Sequence, residues 1–399
     1  MSYDVEALRA EFPSLASGVA HFDGPGGSQV PAAVARAVQD AMLSPMSVRG
    51  AVTEAEQCSE QRVLDCRLAA ADLLNADPRG VVFGRSMTQL TYDFARTLAK
   101  DWVPGDEIVV SRLDHDANIR PWIQAADATG ASVRWIDFDP DTGELAPEQV
   151  ANVLTERTRL VAVTAASNLI GTRPDLPAIS HLVRQSGALL YVDAVHLAPH
   201  APVDAAAFGA DLIACSPYKV LGPHCGLVAV RPELLEQWTP EKLAPSTNQI
   251  PERFEFGTLP YELMAGTTAA IDFLAGLTGE PGSRRQRLVA ALTAVEAHEA
   301  ALLRRLEDGL AQLPDVVQHS RASRRTPTLL LTFARHQPVD AYRFLAQRGI
   351  NAPAGNFYAL EASRHLGLGD AGGLRVGLAA YTTEHEIDRL LDGLAAFLA

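Results

Sequence analysis

Lys219 and Asp193 are the two residues of this chain whose types and positions point most directly to chemistry. Asp193 closes the apolar, strand-like run 188–193, and Lys219 ends the segment 216–219, which follows another apolar run. A lysine amine forms a Schiff base with the aldehyde of pyridoxal phosphate, and a carboxylate holds the pyridine nitrogen protonated so that the ring accepts electrons. The pair therefore predicts pyridoxal phosphate chemistry, with both residues binding the cofactor and acting in catalysis.

Both residues also have other interpretations. A lone lysine after a strand is usually a surface residue, and Ser216-x-x-Lys219 matches the S-x-x-K motif of penicillin-recognising serine enzymes. The chain lacks the S-D-N and K-T-G motifs that accompany S-x-x-K in those enzymes. A buried carboxylate such as Asp193 is expected to have a cationic partner, which an arginine provides as well as a pyridinium does.

A phosphate group needs its own binding element, and the segment 84–88 is a candidate. Its sequence, Gly-Arg-Ser-Met-Thr, joins a strand-like run to a helical one. The first N–H groups of a helix are free, and the helix dipole favours an anion there. Ordinary helix caps use the same residue types, so the signal has weight only together with Lys219 and Asp193.

Three polar residues follow other strand-like runs. His115 could lie flat on a cofactor ring, Asn168 could donate to the phenolic oxygen of the cofactor, and His196 could contact that oxygen or the substrate. Surface loops and turns use the same residues. His196 and His200 are four residues apart, but Pro199 interrupts the helix that a metal-binding pair of this spacing needs, so no metal site is expected.

Arg375 lies in an apolar, strand-like run near the end of the chain, where a charge is unexpected. A guanidinium can hold a substrate α-carboxylate through two parallel hydrogen bonds. A salt bridge within the fold would explain the same residue. Arg120, at the start of a helix, could provide charge for a second acidic group, although such positions are usually at the surface.

Strand-like and helical segments alternate between about residues 80 and 230, and their order positions these groups. The apolar runs show no strict alternation of polar and apolar residues, which indicates an α/β fold with a mostly parallel sheet covered on both faces. Ligands bind beyond the carboxyl ends of such strands. The runs are 81–83, 107–111, 132–136, 160–164, 188–192, 212–215 and 226–230.

The 399 residues suit two domains rather than one. After a long helical region at 284–313, the order strand, helix, strand, helix indicates a smaller α+β domain at the C-terminal end, which the helix near residues 4–11 could join. We expect a large domain at 15–275 and a small domain formed by 1–14 and 276–399.

The composition narrows the possible partners and the location. A net charge of −14 disfavours binding to nucleic acid. The four cysteines form no C-x-x-C motif and are expected to be reduced thiols. No apolar run approaches the roughly 20 residues of a membrane helix, and the acidic first residues do not resemble a signal peptide. We expect a cytoplasmic protein that contacts neither membrane nor nucleic acid.

On the basis of these residues, the chain resembles the class V aminotransferases, which are fold-type I pyridoxal phosphate enzymes. It is most similar to the branch that contains cysteine desulfurases, selenocysteine lyases and isopenicillin N epimerase. The resemblance runs from the segment 21–27 to the segment 381–383. It implies a seven-stranded sheet between helices, with Lys219 as the Schiff-base lysine and Asp193 under the ring nitrogen. It also implies cofactor contacts by Met87, Thr88, His115, Asn168, His196, Ser216 and Tyr218, with His115 stacked on the ring and counted with Lys219 and Asp193 as catalytic.

The resemblance further implies a homodimer in which Thr258, in the segment 255–258, completes the phosphate site of the neighbouring subunit. Arg375 matches the carboxylate-binding arginine, and Gly26 and Tyr358 are expected in the substrate site. Tyr358 stands where cysteine desulfurases have a loop cysteine that accepts the sulfur as a persulfide, and no cysteine follows Cys225. We therefore expect a C–S lyase that lacks the persulfide cysteine. An aminotransferase, an amino-acid epimerase and a non-catalytic binding protein of the same fold are the alternatives.

Overall fold

The structure is a computed structural model that describes residues 3–399. Its main feature is a seven-stranded sheet in the order β2-β8-β7-β6-β5-β3-β4, in which β8 is antiparallel to both neighbours and the other adjacent strands are parallel. The predicted mostly parallel α/β sheet is therefore confirmed. These strands are β2 Val81–Gly84, β3 Glu107–Ser111, β4 Ser132–Ile136, β5 Thr158–Thr164, β6 Leu189–Asp193, β7 Leu212–Cys215 and β8 Gly226–Val230.

The sheet is apolar on both faces because helices cover both. Successive residues of β6 pack into different hydrophobic clusters, with Leu190 and Val192 in one and Tyr191 in the other. This explains the lack of alternation in the sequence. Helices α3, α7 and α10 share the first cluster, and α4 and α5 share the second. The helices up to this point are α1 Val5–Arg9, α2 Ala32–Leu43, α3 Glu54–Leu74, α4 Met87–Leu98, α5 Arg120–Thr129, α6 Pro147–Ala151, α7 Leu176–Ser186, α8 Ala205–Phe208, α9 Pro232–Gln237 and α10 Tyr261–Gly276.

A smaller sheet, mainly from the C-terminal part, has the order β12-β13-β10-β9 and is antiparallel. Strand β1 near the N-terminus pairs with β11, so the N-terminal segment joins the C-terminal part. The domain boundary near residue 275 stays a prediction. The remaining strands are β1 Ala20–His21, β9 Val316–Gln318, β10 Thr328–Phe333, β11 Ile350–Asn351, β12 Ala354–Gly355 and β13 Gly373–Gly377; the remaining helices are α11 Arg284–Leu310, α12 Pro338–Ala346, α13 Leu360–His365 and α14 Glu384–Leu398.

The strand register places the carboxyl ends of the central strands side by side. Thr164 of β5 pairs with Asp193 of β6, and Asp193 pairs with Ala214 of β7. The loops that carry the predicted chemical groups follow these ends, so residues distant in sequence meet at one edge of the sheet. Among residues 3–399, none of the helices has both the length and the hydropathy to cross a lipid bilayer.

Candidate active site

Lys219 ends a short 3₁₀ turn, Pro217–Lys219, that follows β7 directly. Its side chain is buried. Burial lowers the pKa of the amine to about 8; the positive charge of Arg375 acts in the same direction, and the negative charge of Asp193 opposes both. An amine with this pKa has a far larger neutral fraction near neutral pH than an exposed lysine, and the neutral form is the one that attacks an aldehyde or accepts a proton.

Asp193 ends β6 and is also buried. Its Oδ1 accepts a hydrogen bond from the backbone N–H of Val195 at 2.9 Å. Burial raises the pKa of its carboxyl group. No lysine, arginine or histidine within residues 3–399 forms a direct ion pair with Asp193, although the charge of Lys219 in the same cavity counteracts the rise in the pKa of its carboxyl group. The carboxylate is therefore able to receive a cationic N–H group from a ligand, which is what the nitrogen of a protonated pyridine offers.

The N-terminus of α4 is the element that the sequence predicts to bind an anion. Ser86 caps the helix by accepting a hydrogen bond from Gln89 N at 3.1 Å. The N–H groups of Met87 and Thr88 precede the first hydrogen bond of the helix, which Leu90 N donates to Ser86 O. Strand β8 begins with Gly226, where a Cβ atom would lie 2.1 Å from Met87 N. A glycine is thus required for the strand to pass the helix terminus.

His115 follows β3 and begins the short turn at 116–118. Its Nδ1 accepts a hydrogen bond from Ala117 N at 3.0 Å. Burial lowers the pKa of the imidazole to about 3, and the charges of Lys219 and Arg375 contribute in the same direction. The ring is therefore neutral over the range in which most enzymes work. A neutral imidazole can stack on an electron-poor ring without adding charge to the site.

Asn168 and His196 each have one buried polar atom without a hydrogen-bond partner. The amide nitrogen of Asn168 donates to Phe357 O at 3.0 Å, and its Oδ1 has no partner. The Nε2 atom of His196 lies 3.0 Å from the hydroxyl oxygens of both Thr326 and Thr328, and its Nδ1 has no partner. Buried polar atoms are normally paired. These two atoms therefore fit a site that receives a polar ligand.

The predicted residues divide between two adjoining cavities. A cavity of about 70 Å³ is lined by every predicted cofactor-binding residue except Thr258, namely Met87, Thr88, His115, Asn168, Asp193, His196, Ser216, Tyr218 and Lys219. A cleft of about 750 Å³ shares five of these residues, Thr88, His115, Asn168, Tyr218 and Lys219, and adds the predicted substrate residues Gly26, Tyr358 and Arg375. Thr258 is exposed and lines neither of them. Apart from Thr258, the sequence thus identified residues that the fold brings together.

Arg375, in β13, reaches the cleft from the C-terminal part of the chain. Its Nη1 donates to Asn168 O at 3.1 Å, and its Nη2 donates to Asp23 Oδ1 at 2.7 Å. The guanidinium carbon lies 3.7 Å from the centre of the Phe357 ring. Burial lowers the pKa of Arg375, and the Asp23 carboxylate opposes that effect. Both interpretations of Arg375 from the sequence therefore agree with the structure: it lines the cleft, and it forms a salt bridge within the fold.

The loop at 353–359 covers the cleft. Phe357 and Tyr358 adopt the left-handed backbone region, with φ values of 53° and 60°. Neither is glycine, so the surrounding contacts must hold this conformation. Those contacts are the Asn168 hydrogen bond to Phe357 O and a hydrogen bond of 2.7 Å from Asp116 N to Tyr358 O. The loop is therefore fixed directly to the segments that follow β3 and β5.

Three acidic residues in or near the cleft were not predicted from the sequence. Asp23 pairs with Arg375, while Asp116 pairs with Arg120 at 2.8 Å. Glu361, which follows the loop, pairs with Arg112 at 3.2 Å and also with Arg120. Arg120 therefore lines the cleft with its charge already compensated. Because Asp23 lies in the segment 21–27, which belongs to the family resemblance, a role near the site could have been predicted for it. No local sequence pattern indicates which arginine it pairs with.

Sequence comparison extends the resemblance over nearly the whole chain. Residues 20–390 match the family model described as Aminotransferase class-V. An uncharacterised protein of Mycobacterium tuberculosis is 37% identical over 99% of this chain and 100% of its own length. An aminotransferase-like protein of Gibberella zeae is 31% identical over 100% of this chain and 99% of its own length. A cysteine desulfurase of Klebsiella pneumoniae is 31% identical over 99% and 98% of the two chains.

Solved structures show the same architecture. The cysteine desulfurase CsdA of Escherichia coli superposes with a TM-score of 0.87 at 27% identity, covering 99% of this chain and 98% of its own. The apo cysteine desulfurase of Thermococcus onnurineus gives a TM-score of 0.89 over 98% of each chain, and its 24% identity supports the fold alone. The sheet, the cavity and the cleft therefore belong to a fold with solved examples.

Proposed function

Because the chain belongs to the class V aminotransferase family and is a pyridoxal phosphate-dependent enzyme, we propose that it is a C–S lyase that acts on cysteine or a similar amino acid. The observation that carries the proposal is the pairing of Lys219 and Asp193 in one small cavity. The buried amine has its pKa lowered to about 8, and the buried carboxylate forms no direct ion pair, although the charge of Lys219 acts on it. A protein that only binds amino acids needs neither group in this state.

The residues that would hold the cofactor surround that cavity. The N–H groups of Met87 and Thr88 would bind the phosphate together with Ser216 and Tyr218, and Asp193 would accept a hydrogen bond from the ring nitrogen. The neutral imidazole of His115 would lie against the ring. The second N–H of the Asn168 amide, which is not the one given to Phe357 O, and the unpaired Nδ1 of His196 would donate to its oxygen. When bound, pyridoxal phosphate supplies an electron sink for the electron pair left at Cα after proton removal.

Lys219 has two tasks in this proposal. It is the residue to which the cofactor attaches, and after the substrate amine replaces it, the freed Lys219 amine takes the Cα proton. A pKa of about 8 keeps part of the amine neutral for this step. Arg375 holds the substrate α-carboxylate, and the loop at 353–359 excludes water from the cleft.

The fate of the sulfur distinguishes a lyase from a desulfurase. A sulfur atom that leaves Cβ as sulfane sulfur needs a thiolate to accept it, and the position that the resemblance assigns to this thiolate is Tyr358. In the proposed reaction the Cα–H and Cβ–S bonds break and sulfur leaves with the bonding electron pair as hydrogen sulfide. Reaction with one water then releases pyruvate and ammonia. No oxidant or sulfur acceptor is needed, which agrees with a loop that has no cysteine.

We also propose that the enzyme is a homodimer in the cytoplasm. The segment 42–52 exposes large apolar side chains, including Leu43 at 77% and Val52 at 88%. Exposed apolar groups of this kind are typical of protein interfaces. Arg49 of this segment pairs with Glu252 at 2.9 Å, close in sequence to Thr258. The exposed apolar segment and Thr258 thus lie on connected elements, as expected if Thr258 completes the site of a neighbouring subunit.

The proposal is tested with the purified protein and L-cysteine. We expect a visible absorption band that borohydride removes, with the reduced cofactor attached to Lys219 in peptide mass spectrometry. A Lys219→Ala variant should acquire no such label. Turnover of L-cysteine should give pyruvate, ammonia and sulfide in equal amounts without any added keto acid.

Other outcomes would identify the alternatives. Amine transfer that depends on an added keto acid indicates an aminotransferase, and loss of optical activity without other products indicates an epimerase. Formation of alanine with protein-bound sulfane sulfur indicates a desulfurase that uses another cysteine. As a matched comparison, Tyr358→Cys places a thiol on the loop. Its thiolate can attack the substrate sulfur directly, so part of the turnover is expected to give a persulfide on that peptide and an equal amount of alanine, in place of sulfide, pyruvate and ammonia.

A further inference from the structure

Two of the five N–H groups of Arg375 donate to other parts of the protein. Nη1 donates to Asn168 O, Nη2 donates to Asp23 Oδ1, and one face of the guanidinium packs on Phe357. Only Nε is buried without a partner. A carboxylate that binds side-on to a guanidinium needs two N–H groups on one edge. The edge formed by Nε and Nη2 includes the nitrogen that already donates to Asp23, so a carboxylate that binds there lies next to the Asp23 carboxylate.

Asp23 is the more exposed partner of this ion pair. The side chain of Arg375 is 3% exposed, whereas that of Asp23 is 33% exposed and lines the cleft. The Asp23 carboxylate packs against Gly26, where a Cβ atom would lie 2.4 Å from Oδ2. Asp23 can therefore turn towards water, while the guanidinium stays where Asn168 and Phe357 hold it.

We propose that Asp23 is a specificity-determining residue that competes with the substrate carboxylate for Arg375. This inference rests on the proposed role of Arg375. In the empty cleft Asp23 neutralises a buried guanidinium that would otherwise be unpaired. An incoming carboxylate must displace it, because two carboxylates on one edge of the guanidinium repel each other. When the substrate carboxylate binds, Arg375 thus exchanges Asp23 for the substrate. The substrate therefore binds more weakly than it would to an arginine without an ion pair.

The test compares two small probes that differ in the carboxylate. L-alanine and ethylamine share an amine and a short carbon chain, and ethylamine lacks the carboxylate. Titration of the holoenzyme with each probe, followed by the change in its visible spectrum, gives two dissociation constants. Their ratio, ethylamine over L-alanine, measures selectivity for the carboxylate and cancels effects on amine binding. The variants are Asp23→Asn, Asp23→Ser, Arg375→Gln and the double variant Asp23→Asn/Arg375→Gln.

Asp116→Asn is the matched control, because Asp116 lines the same cleft but pairs with Arg120 rather than Arg375. It removes one negative charge from the cleft and leaves the Arg375 pair intact. A general electrostatic effect would raise the selectivity ratio in Asp116→Asn as much as in Asp23→Asn. Direct competition raises it mainly in Asp23→Asn.

We expect Asp23→Asn to raise the ratio about tenfold, the usual scale for a hydrogen bond to a charged group. Arg375→Gln should lower the ratio, and in that background the effect of Asp23→Asn should vanish. Thermal unfolding of the cofactor-free protein should show a lower midpoint for Asp23→Asn, because Arg375 loses its counter-charge. If this variant does not fold, Asp23→Ser provides the same comparison.

Three results would overturn the inference. The first is a selectivity ratio that is unchanged or lower in both Asp23 variants, although Arg375→Gln lowers it. That result contradicts the role of Asp23 but not the proposed role of Arg375. Another is an Asp23→Asn effect that persists in the Arg375→Gln background or is matched by Asp116→Asn. The third is an unfolding midpoint that rises in Asp23→Asn. An Arg375→Gln variant with unchanged selectivity contradicts instead the carboxylate role of Arg375 itself.

Discussion

The rings of Tyr358 and His115 lie 5.5 Å apart between centroids, with 30° between their planes. Tyr358 belongs to the loop at 353–359, and His115 lines both the cavity and the cleft. The Tyr358 side chain is nevertheless 73% exposed. One face of the phenol ring therefore covers the imidazole while the rest meets solvent, which makes Tyr358 part of the outer wall of the site.

Removing this ring should loosen the loop. Tyr358→Ala loses an aromatic contact of about 1 kcal/mol and is expected to raise KM for L-cysteine about fivefold. Amide hydrogen exchange within residues 353–359 should become faster. Tyr358→Phe is the control, because it keeps the ring and removes only a largely exposed hydroxyl. Equal effects of the two variants would show that the hydroxyl, and not the ring, matters.

Lys219 should destabilise the cofactor-free protein at neutral pH. Burial lowers the pKa of its amine from 10.5 to about 8. Between these values the unfolded chain holds a proton that the folded chain has released, so stability rises with pH through this window. Below pH 8 the folded protein carries the full cost of a buried ammonium, and above pH 10.5 the cost is gone.

The variant Lys219→Met removes this cost. At pH 7 the cofactor-free variant should be more stable than the wild type by about 3 kcal/mol in urea unfolding, and the difference should shrink as the pH approaches 10.5. Lys100→Met is the control, because Lys100 is exposed. A stability difference that does not change with pH would exclude the ammonium as its cause.

The strands of the central sheet were predictable because they are short, apolar and separated by helices. The predicted run 107–111 coincides with β3, and the run 188–192 differs from β6 by one residue. The helices α2 and α3 and the edge strand β9 were not identified. In α3 the residues Cys66, Arg67 and Ala70 are all buried, so its sequence lacks a clear apolar stripe. Arg67 is buried because Glu255, far along the chain, pairs with it at 2.8 Å.

The site was predictable where residue type and strand end coincide, as for Lys219, Asp193 and His115. The pairing of Asp23 with Arg375 was not, since it depends on how the C-terminal part packs against the central sheet. The backbone of Phe357 and Tyr358 was also unpredictable, because neither residue type favours positive φ. Asp193 was expected to have a cationic partner; among residues 3–399 it forms no direct ion pair, and the charge that acts on it is that of Lys219.

His200 and Glu299 form a buried pair that connects the segment after β6 to α11. His200 Nδ1 lies 2.9 Å and 3.1 Å from the two carboxylate oxygens of Glu299. Glu299→Ala should lower the free energy of unfolding by about 3 kcal/mol, because it leaves a buried polar partner unpaired. Glu296→Ala is the control on the same helix; Glu296 is partly exposed and pairs with Arg173, so a loss below about 1 kcal/mol is expected. Equal losses would contradict a special role for the buried pair.

The exposed apolar segment 42–52 should decide whether subunits associate. Leu43→Lys places a charge in the proposed interface and should shift the protein towards monomer in sedimentation velocity, with a dissociation constant at least about tenfold higher. Leu243→Lys is the control, because Leu243 is similarly exposed, at 70%, but lies outside the segment. A monomeric wild type, or equal effects of the two variants, would contradict this interface.

Thr258 offers the sharpest test of a site shared between subunits. If Thr258 binds the cofactor phosphate as proposed, Thr258→Val removes a hydrogen bond to a charged group and should weaken cofactor binding about tenfold or more. A mixed dimer contains one Lys219→Ala chain and one Thr258→Val chain. If Thr258 serves the neighbouring subunit, the site on the Thr258→Val chain has Lys219 from its own chain and Thr258 from the other chain, so it is intact. The site on the Lys219→Ala chain then has both defects. Tagged mixed dimers, isolated by affinity and titrated with pyridoxal phosphate, should then bind half the wild-type amount with wild-type affinity. Should Thr258 serve its own subunit, every site of the mixed dimer carries one defect and no tight binding returns.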